Sequence, residues 1–498
     1  MPMKKLNILF VTSELLPFVQ VGELANYSTQ VTKVLADCCA DIRIIMPRYG
    51  VVNETVHKIH DIIRLKDLKC VIGDKTYHYS IKSSFILNKK SRVQVYFVDS
   101  PDFFSKRKGV YLEYDTWKDY PDNLERFSLF SRAVFELIDK LEWYPDVIHT
   151  NDWPASLVPL YKKACEKKNH HFKKIKTVLT VHNFSFQGVF PLEKFKLLDL
   201  PEEFNSEEYL QIWEQLNFLK AGLETHDFIA GQSQYDLNKY LKDEKYSYGL
   251  KDILKKRKDN FEVIHYGLTT SEWDPSKDNF IEAKYSTSNL AHKTKNKLAL
   301  SLRLNLDYSE NLPFLTIIDT YDNDSQHILD EDFITKLIKM NYRIIFKSTN
   351  YDNRDYFQKY QEKFPQKFHV LRDESQAMNH LVIAGSDFIF MPYYSSPTDS
   401  NVLKSLYYGT IPVAINQGLY ADVIEHIDVT NDKFNGNGFV FETREKDIML
   451  KELENGLRLF ASKEKFKTVQ TNAMSKDYSW ENVGMKYFKL YQRLCGVC

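Results

Sequence analysis

Two series of strands and helices, one after the other, constrain this chain more than any other feature of it. The first opens on Leu6–Val11, an almost unbroken apolar run. A helical stripe follows through Leu24, Tyr27, Val31, Val34, Leu35 and Cys38, and a second apolar run fills residues 42–47. Strands buried on both faces lack polar alternation, and a helix between two such strands makes them parallel. Residues 67–98 alternate more and predict a hairpin insertion. Further strands are expected at residues 146–149, 177–181 and 228–230. The pattern restarts at residues 314–318 and continues through 343–346, 369–371, 387–391 and Ile411–Ile415. Between the series, residues 266–278 carry Gly267 and Pro275 and read as a hinge. The expected fold is α/β, with two Rossmann-like domains facing across a cleft, at residues 1–265 and 266–476. A last helix within residues 477–498, striped by Val483, Tyr487, Leu490 and Leu494, is expected to cross back to the first domain.

At 498 residues the chain has room for two or three domains. Its 67 basic and 67 acidic residues give a formal net charge of zero, hence no global field for nucleic acid or an anionic membrane. Runs such as Lys255-Lys256-Arg257-Lys258 read as solvated helix faces. The start runs straight into a strand without a signal-peptide pattern, and no apolar stretch is long enough to span a bilayer. The expectation is a cytoplasmic protein with neither membrane nor nucleic acid as partner. Six cysteines in this length do not make a disulfide framework. Cys38 falls on a packing stripe. Cys495 and Cys498 form a C-x-x-C without a second ligand pair, so no metal and no cofactor is expected. Glycine is scarce: 17 of 498 residues, about half the usual share of roughly 7%. Phosphate-cradling loops use glycine where backbone approaches the ligand.

Several stretches carry a resemblance to a known family. They include ILFVTSELLPF at residues 8–18, DYPDNLERFSLFSRA at 119–133 and DVIHTNDWPASLVPLY at 146–161. TVHNFSFQGVFP at 180–191, NFLKAGL at 217–223 and YSWENVGMKYFKLYQRL at 478–494 extend the series almost end to end. Together they resemble bacterial glycogen synthases and plant starch synthases, retaining glucosyltransferases of the two-domain GT-B architecture that use ADP-glucose or UDP-glucose. The resemblance implies an acceptor-side site at Asp122, Asn123, Arg126, Asn151, Asp152, His182 and Gln187. Asp122 and Arg126 are also spaced to pair along a helix.

Agreement fails where the family holds its nucleotide-sugar. K-x-G-G-L is replaced here by Gln20-Val21-Gly22-Glu23-Leu24. S-R-L-x-x-Q-K-G becomes Asp319-Thr320-Tyr321-Asp322-Asn323-Asp324-Ser325-Gln326, and G-x-G becomes Lys347-Ser348-Thr349. E-P-x-G-L-x-Q becomes Ser396-Pro397-Thr398-Asp399-Ser400-Asn401-Val402, a strand-loop-helix that offers only hydroxyls, amide and one carboxylate. The family's diphosphate-facing cations thus correspond to Gln20, Thr320 and Ser325, and its glutamate to Ser396. Charge-assisted hydrogen bonds contribute roughly 1.5–3 kcal/mol each, so three losses remove about 5–9 kcal/mol. That is on the order of 10³ to 10⁶ in rate or affinity. Glu23 and Asp399 add carboxylates, Asp399 as the expected N-cap of a helix whose N-terminus would otherwise seat an anion. Lys347 and Lys404 read as solvated lysines.

The function expected on these grounds is a glycogen/starch synthase relative that is catalytically impaired. It would bind α-glucan (glycogen or malto-oligosaccharide) or a partner such as an active synthase paralogue. The alternatives are an active α-1,4-glucosyltransferase with a rebuilt donor site, and a GT-B transferase using another donor.

Overall fold

The computed structural model describes residues 5–38, 40–88, 91–167, 169–320, 328–348, 350–394, 399–431 and 433–497. Ser325, Ser396, Cys498 and the side chain of Cys38 lie outside the described residues. The chain divides into two compact units. One comprises Met1–Gln232, Leu237–His265 and Trp480–Cys498; the other comprises Ser233–Asp236 and Tyr266–Ser479.

The first unit is built on a ten-stranded sheet. From one edge its strands are Phe261–Val263, Phe228–Gly231, Lys176–Val181, Val147–Asn151, Leu6–Val11, Ala40–Pro47, Arg92–Asp99, Lys75–Leu87 and His60–Asp61, with Leu68–Ile72 paired to Lys75–Leu87. Pairing is parallel as far as Arg92–Asp99 and antiparallel beyond it. The expected hairpin is Leu68–Ile72 with Lys75–Leu87, and Arg92–Asp99 carries it back into the parallel sheet. Ile8, Leu9, Phe10 and Val11 are wholly buried, as a central parallel strand requires.

The final helix, Trp480–Cys495, belongs to this first unit. It lies close against Leu24–Cys38, where a Cβ on Gly484 would sit 2.4 Å from the Val34 side chain. Its inner face is fixed by hydroxyls. Tyr491 Oη bonds His149 Nδ1 at 2.6 Å, and Tyr487 Oη bonds Thr180 Oγ1 at 3.1 Å. Thr180 Oγ1 also meets His149 Nε2 at 2.7 Å. Burial holds the His149 imidazole well below its ordinary pKa, so it is a neutral structural anchor.

The second unit has a six-stranded, all-parallel sheet in the order Phe368–Val370, Arg343–Ser348, Phe314–Asp319, Phe388–Met391, Ile411–Ile415, Phe439–Phe441. Its helices cover both faces of strands that are almost entirely buried. In such sheets ligands meet the loops at the carboxyl ends of the strands. Those loops are where the candidate residues fall.

Candidate functional site

In the first unit, Leu6–Val11 delivers a loop organised by one buried carboxylate, Glu14. Its Oε2 accepts from the backbone N–H groups of Val21 (2.6 Å) and Gly22 (2.8 Å), and its Oε1 accepts from the Tyr111 hydroxyl at 2.8 Å. Ser13 Oγ lies 2.7 Å from the same hydroxyl. These bonds hold the loop, and it presents Gln20, Gly22 and Glu23 at the surface. A Cβ at Gly22 would meet nothing within 4 Å.

Next to this loop stands a wall made by the ends of Val147–Asn151 and Lys176–Val181. Asp152 has φ 53° and ψ −174°, a backbone region almost reserved for glycine, which costs about 1–3 kcal/mol. Its carboxyl Oδ1 accepts from His182 N at 2.7 Å. Burial drives the Asp152 carboxyl up to about 7, with a further push from Glu14, against the pull of that backbone N–H. His182 Nε2 meets Asn151 Oδ1 at 3.1 Å, while Asn151 Nδ2 donates to Val11 O at 3.1 Å. The amide nitrogen being committed, Oδ1 is the acceptor and His182 Nε2 carries the proton. Burial lowers this imidazole to about 3, so it is a neutral, oriented ring with Tyr27 edge-on at 4.5 Å.

Gln187 is spent on folding. Its Nε2 donates to Phe184 O and Tyr248 O, and its Oε1 accepts from Asn217, the residue that caps Phe218–Thr225 through Lys220 N. Gly188, at φ +64°, admits no side chain, because a Cβ there would lie 2.4 Å from the Trp153 ring.

Asp122 and Arg126 do not pair along their helix. Asp122 takes Arg107 in a bidentate pair at 2.6 and 2.7 Å, since it precedes the first turn of Asn123–Leu141 and points at the loop carrying Arg107. Arg126 turns inward, donating to Phe103 O (2.9 Å) and Asn123 Oδ1 (2.6 Å) with its guanidinium 4.3 Å from the Tyr120 ring. Burial brings its pKa down to about 10. Asn123 Nδ2 holds Tyr111 O at 3.0 Å, which ties this group to the Glu14 loop.

In the second unit, Phe314–Asp319 ends in a buried carboxyl. Asp319 accepts from Asn353 Nδ2 at 2.7 Å, and burial raises its pKa. The hydroxyl of Thr320 is buried with no partner among the described residues. Lys347 is half-buried rather than solvated, with its ammonium 2.7 Å from Asn379 Oδ1. Its pKa is pushed down to about 8 by burial and then by Lys404, against Glu374 and Asp399. Lys404 is half-buried too, lying 4.4 Å over the Trp273 ring. The sequence hid both placements, because a lysine at a strand end or on a helix looks the same solvated or packed. Ser400, not Asp399, holds the cap position of Asn401–Tyr407. From one residue earlier, Asp399 Oδ1 accepts from Asn401 N at 2.9 Å while Oδ2 accepts the Tyr420 hydroxyl.

Comparison with known proteins decides the family. The starch synthase catalytic domain matches residues 7–256. The glycogen synthase of Chlorobium limicola is 32% identical over 495 residues, covering 99% of each chain. That of Chlorobaculum parvum is 31% identical over 500 residues, covering 100% of each. The chain belongs to the glycogen/starch synthase family. The GT-B fold is shown by the catalytic domain of starch synthase IV from Arabidopsis thaliana bound to ADP and acarbose, with TM-score 0.78 and 23% identity over 99% of this chain and 100% of that one. A sucrose-phosphate synthase from Thermosynechococcus elongatus is similar at TM-score 0.55 and 12% identity, covering 99% of this chain and 100% of that one.

Within this synthase-family chain the structure joins Asn151, Asp152 and His182 by hydrogen bonds, and Asp122, Asn123 and Arg126 around Arg107 and Tyr111. Gln187 stands apart as a loop brace. Sequence reasoning missed Glu14, Tyr111, Arg107 and Asp319. Glu14 had a signal, an acidic residue just past a buried strand; Arg107 had none. Among the described residues no cluster of histidine, cysteine, aspartate or glutamate could hold a metal ion, and no helix is long and apolar enough to cross a membrane.

Proposed function

We propose that this chain is a glucan-binding member of the glycogen/starch synthase family in which glucose transfer from ADP-glucose or UDP-glucose is strongly impaired. The observation that carries this reading is Asp399. Its carboxylate accepts from Asn401 N and from the Tyr420 hydroxyl, so donors that would greet an incoming anion already serve the chain's own carboxylate. At the carboxyl end of the second unit's sheet Thr320 brings no charge and Asp319 brings a carboxyl group. The position corresponding to a diphosphate-facing cation of the family is thus uncharged here, while a nucleoside diphosphate carries at least two negative charges. The first unit supports the glucan half of the reading. Asp152 and His182 offer an acceptor and an oriented neutral ring, and Tyr111 and Trp153 are aromatic surfaces of the kind on which sugars pack. The setting is the cytoplasm, and an active synthase of the same family is the partner we favour.

Calorimetry is the direct test. ADP-glucose and UDP-glucose at millimolar concentration give no saturable heat, while malto-oligosaccharide raises the melting temperature. Glucose transfer from ADP-glucose to glycogen within about a hundredfold of a typical 10 s⁻¹ would overturn the proposal.

A second reading, an active transferase with a rebuilt donor site, has one observation in its favour. Lys347 and Lys404 are partly buried and electrostatically coupled beside Asp399, so two cations already stand at the carboxyl end of this sheet. Under that reading Lys347→Met abolishes transfer, and donor binding weakens as pH rises through about 8, where Lys347 loses its proton.

A further inference from the structure

At the opposite end of the second unit's sheet, around the amino ends of Phe314–Asp319 and Phe388–Met391, lies a cavity of about 650 Å³. It is about 20 Å along the strand from Thr320, and its volume is within the range of small-ligand sites. Leu290, Phe460 and Phe466 form an apolar wall. The charged lining comes from two helix starts: Lys293 and Lys297 at the beginning of Lys293–Arg303, and Lys463 and Lys467 at the beginning of Lys463–Met474.

The charges around this cavity do not balance. Asp387 and Glu310 are its carboxylates. Asp387 is taken by Lys297 at 2.7 Å and by Phe314 N at 2.8 Å, and Glu310 lies 3.8 Å from Lys463. Lys293 and Lys467 have no carboxylate partner among the described residues. Lys293 is only 6% exposed, and its ammonium rests on neutral oxygens: Ala384 O and Thr410 Oγ1, both at 2.8 Å. A buried ammonium hydrogen-bonded only to neutral oxygens is costly to keep charged, and burial brings its pKa to about 7, against the pull of nearby Asp387 and with a further push from Lys297. Cations in the opening turn of a helix also oppose the helix dipole, and Lys293–Arg303 has no acidic residue there to compensate. Two local rules are broken around one cavity, and negative charge from outside would satisfy both.

We propose that this cavity binds a small organic phosphate monoester, its dianionic head between Lys293 and Lys467 and its apolar or ring-shaped body against Leu290, Phe460 and Phe466. Two ammonium groups without an ion-pair partner among the described residues match a dianion, and the apolar wall distinguishes an ester from free phosphate. The site is independent of transferase activity and of the donor seat.

Phenyl phosphate is the probe, titrated into the full chain by calorimetry, with inorganic phosphate as the head alone and phenol as the body alone. Phenyl phosphate saturates one site, and each fragment binds about tenfold more weakly or not at all. Lys467→Ala, a change at an exposed side chain, weakens phenyl phosphate about tenfold, and Lys293→Met does the same. Protonation gives a second readout. Around Lys293 the ionisable neighbours are Lys297, Asp387 and Tyr285, and Tyr308, Glu310, Lys463 and Lys467 face the cavity. Burial brings Lys293 itself to a pKa of about 7. Above that pH, where the phosphate ester is already dianionic, binding therefore takes up a proton at Lys293, and Lys293→Met removes the uptake. Absence of saturable phenyl phosphate binding at millimolar concentration, or unchanged affinity in Lys467→Ala, overturns the proposal.

Discussion

Asp152 combines a backbone conformation that side chains avoid with a carboxyl that titrates near neutrality, at about 7. An ordinary aspartate in the unfolded chain ionises near 3.9, so between about pH 4 and 7 the folded state holds the extra proton. Folding stability then falls as pH rises across that window, by at most about 4 kcal/mol. His182, depressed to about 3, works the other way: its contribution is full above about 6.5 and is lost as pH falls toward 3. Asp152→Asn keeps an acceptor for His182 N and removes the titration. Denaturant unfolding at several pH values should show the variant gaining on the parent protein from about pH 4 to 7; parallel pH profiles would refute the assignment. Gly188→Ala is a harsher change, meeting both a positive φ and the Trp153 ring, and should cost more than about 2 kcal/mol in the same assay. At this scale the sequence was only partly legible. Spacing suggested an Asp122–Arg126 pair, and the structure gives Asp122 to Arg107, fifteen positions away, through a loop whose path no periodicity encodes.

Strands buried on both faces announced themselves. Leu6–Val11, Phe314–Asp319 and Ile411–Ile415 are apolar runs because helices cover both sides of them. Phe261–Val263 and Phe439–Phe441 escaped notice for the complementary reason: they are three-residue edge strands, paired on one side only and too short for a period to show. Loops were legible as places and not as arrangements. The loop leading into the helix Asn401–Tyr407 shows this well, since its acidic residue sits one position ahead of the cap and still takes an N–H of the first turn. Asp399→Ala frees that N–H and the Tyr420 hydroxyl, and should lower stability by about 1–2 kcal/mol in thermal or denaturant unfolding. If the carboxylate is what closes the seat to anions, the same variant should bind inorganic diphosphate detectably more tightly than the parent chain. Equal affinities would mean that Asp399 is a structural brace alone.

The units differ in how the chain composes them: the second is nearly one continuous segment, and the first is assembled from segments interrupted by it. The first depends on Trp480–Cys495, whose Tyr487 and Tyr491 hydroxyls reach the Thr180 and His149 layer and whose Gly484 lies against Val34. Gly484→Leu should lift this helix and lower the melting temperature of the first unit while sparing the second, giving two calorimetric transitions in place of closer ones; a single unshifted transition would show that the contact is dispensable. The dependence also orders events during synthesis. The amino-terminal strands emerge from the ribosome first, yet the side chains that close their sheet against Leu24–Cys38 are translated only after the whole second unit. Until then the early-made half carries an open apolar seam, and it is this half, not the later one, that should recruit chaperones on the nascent chain.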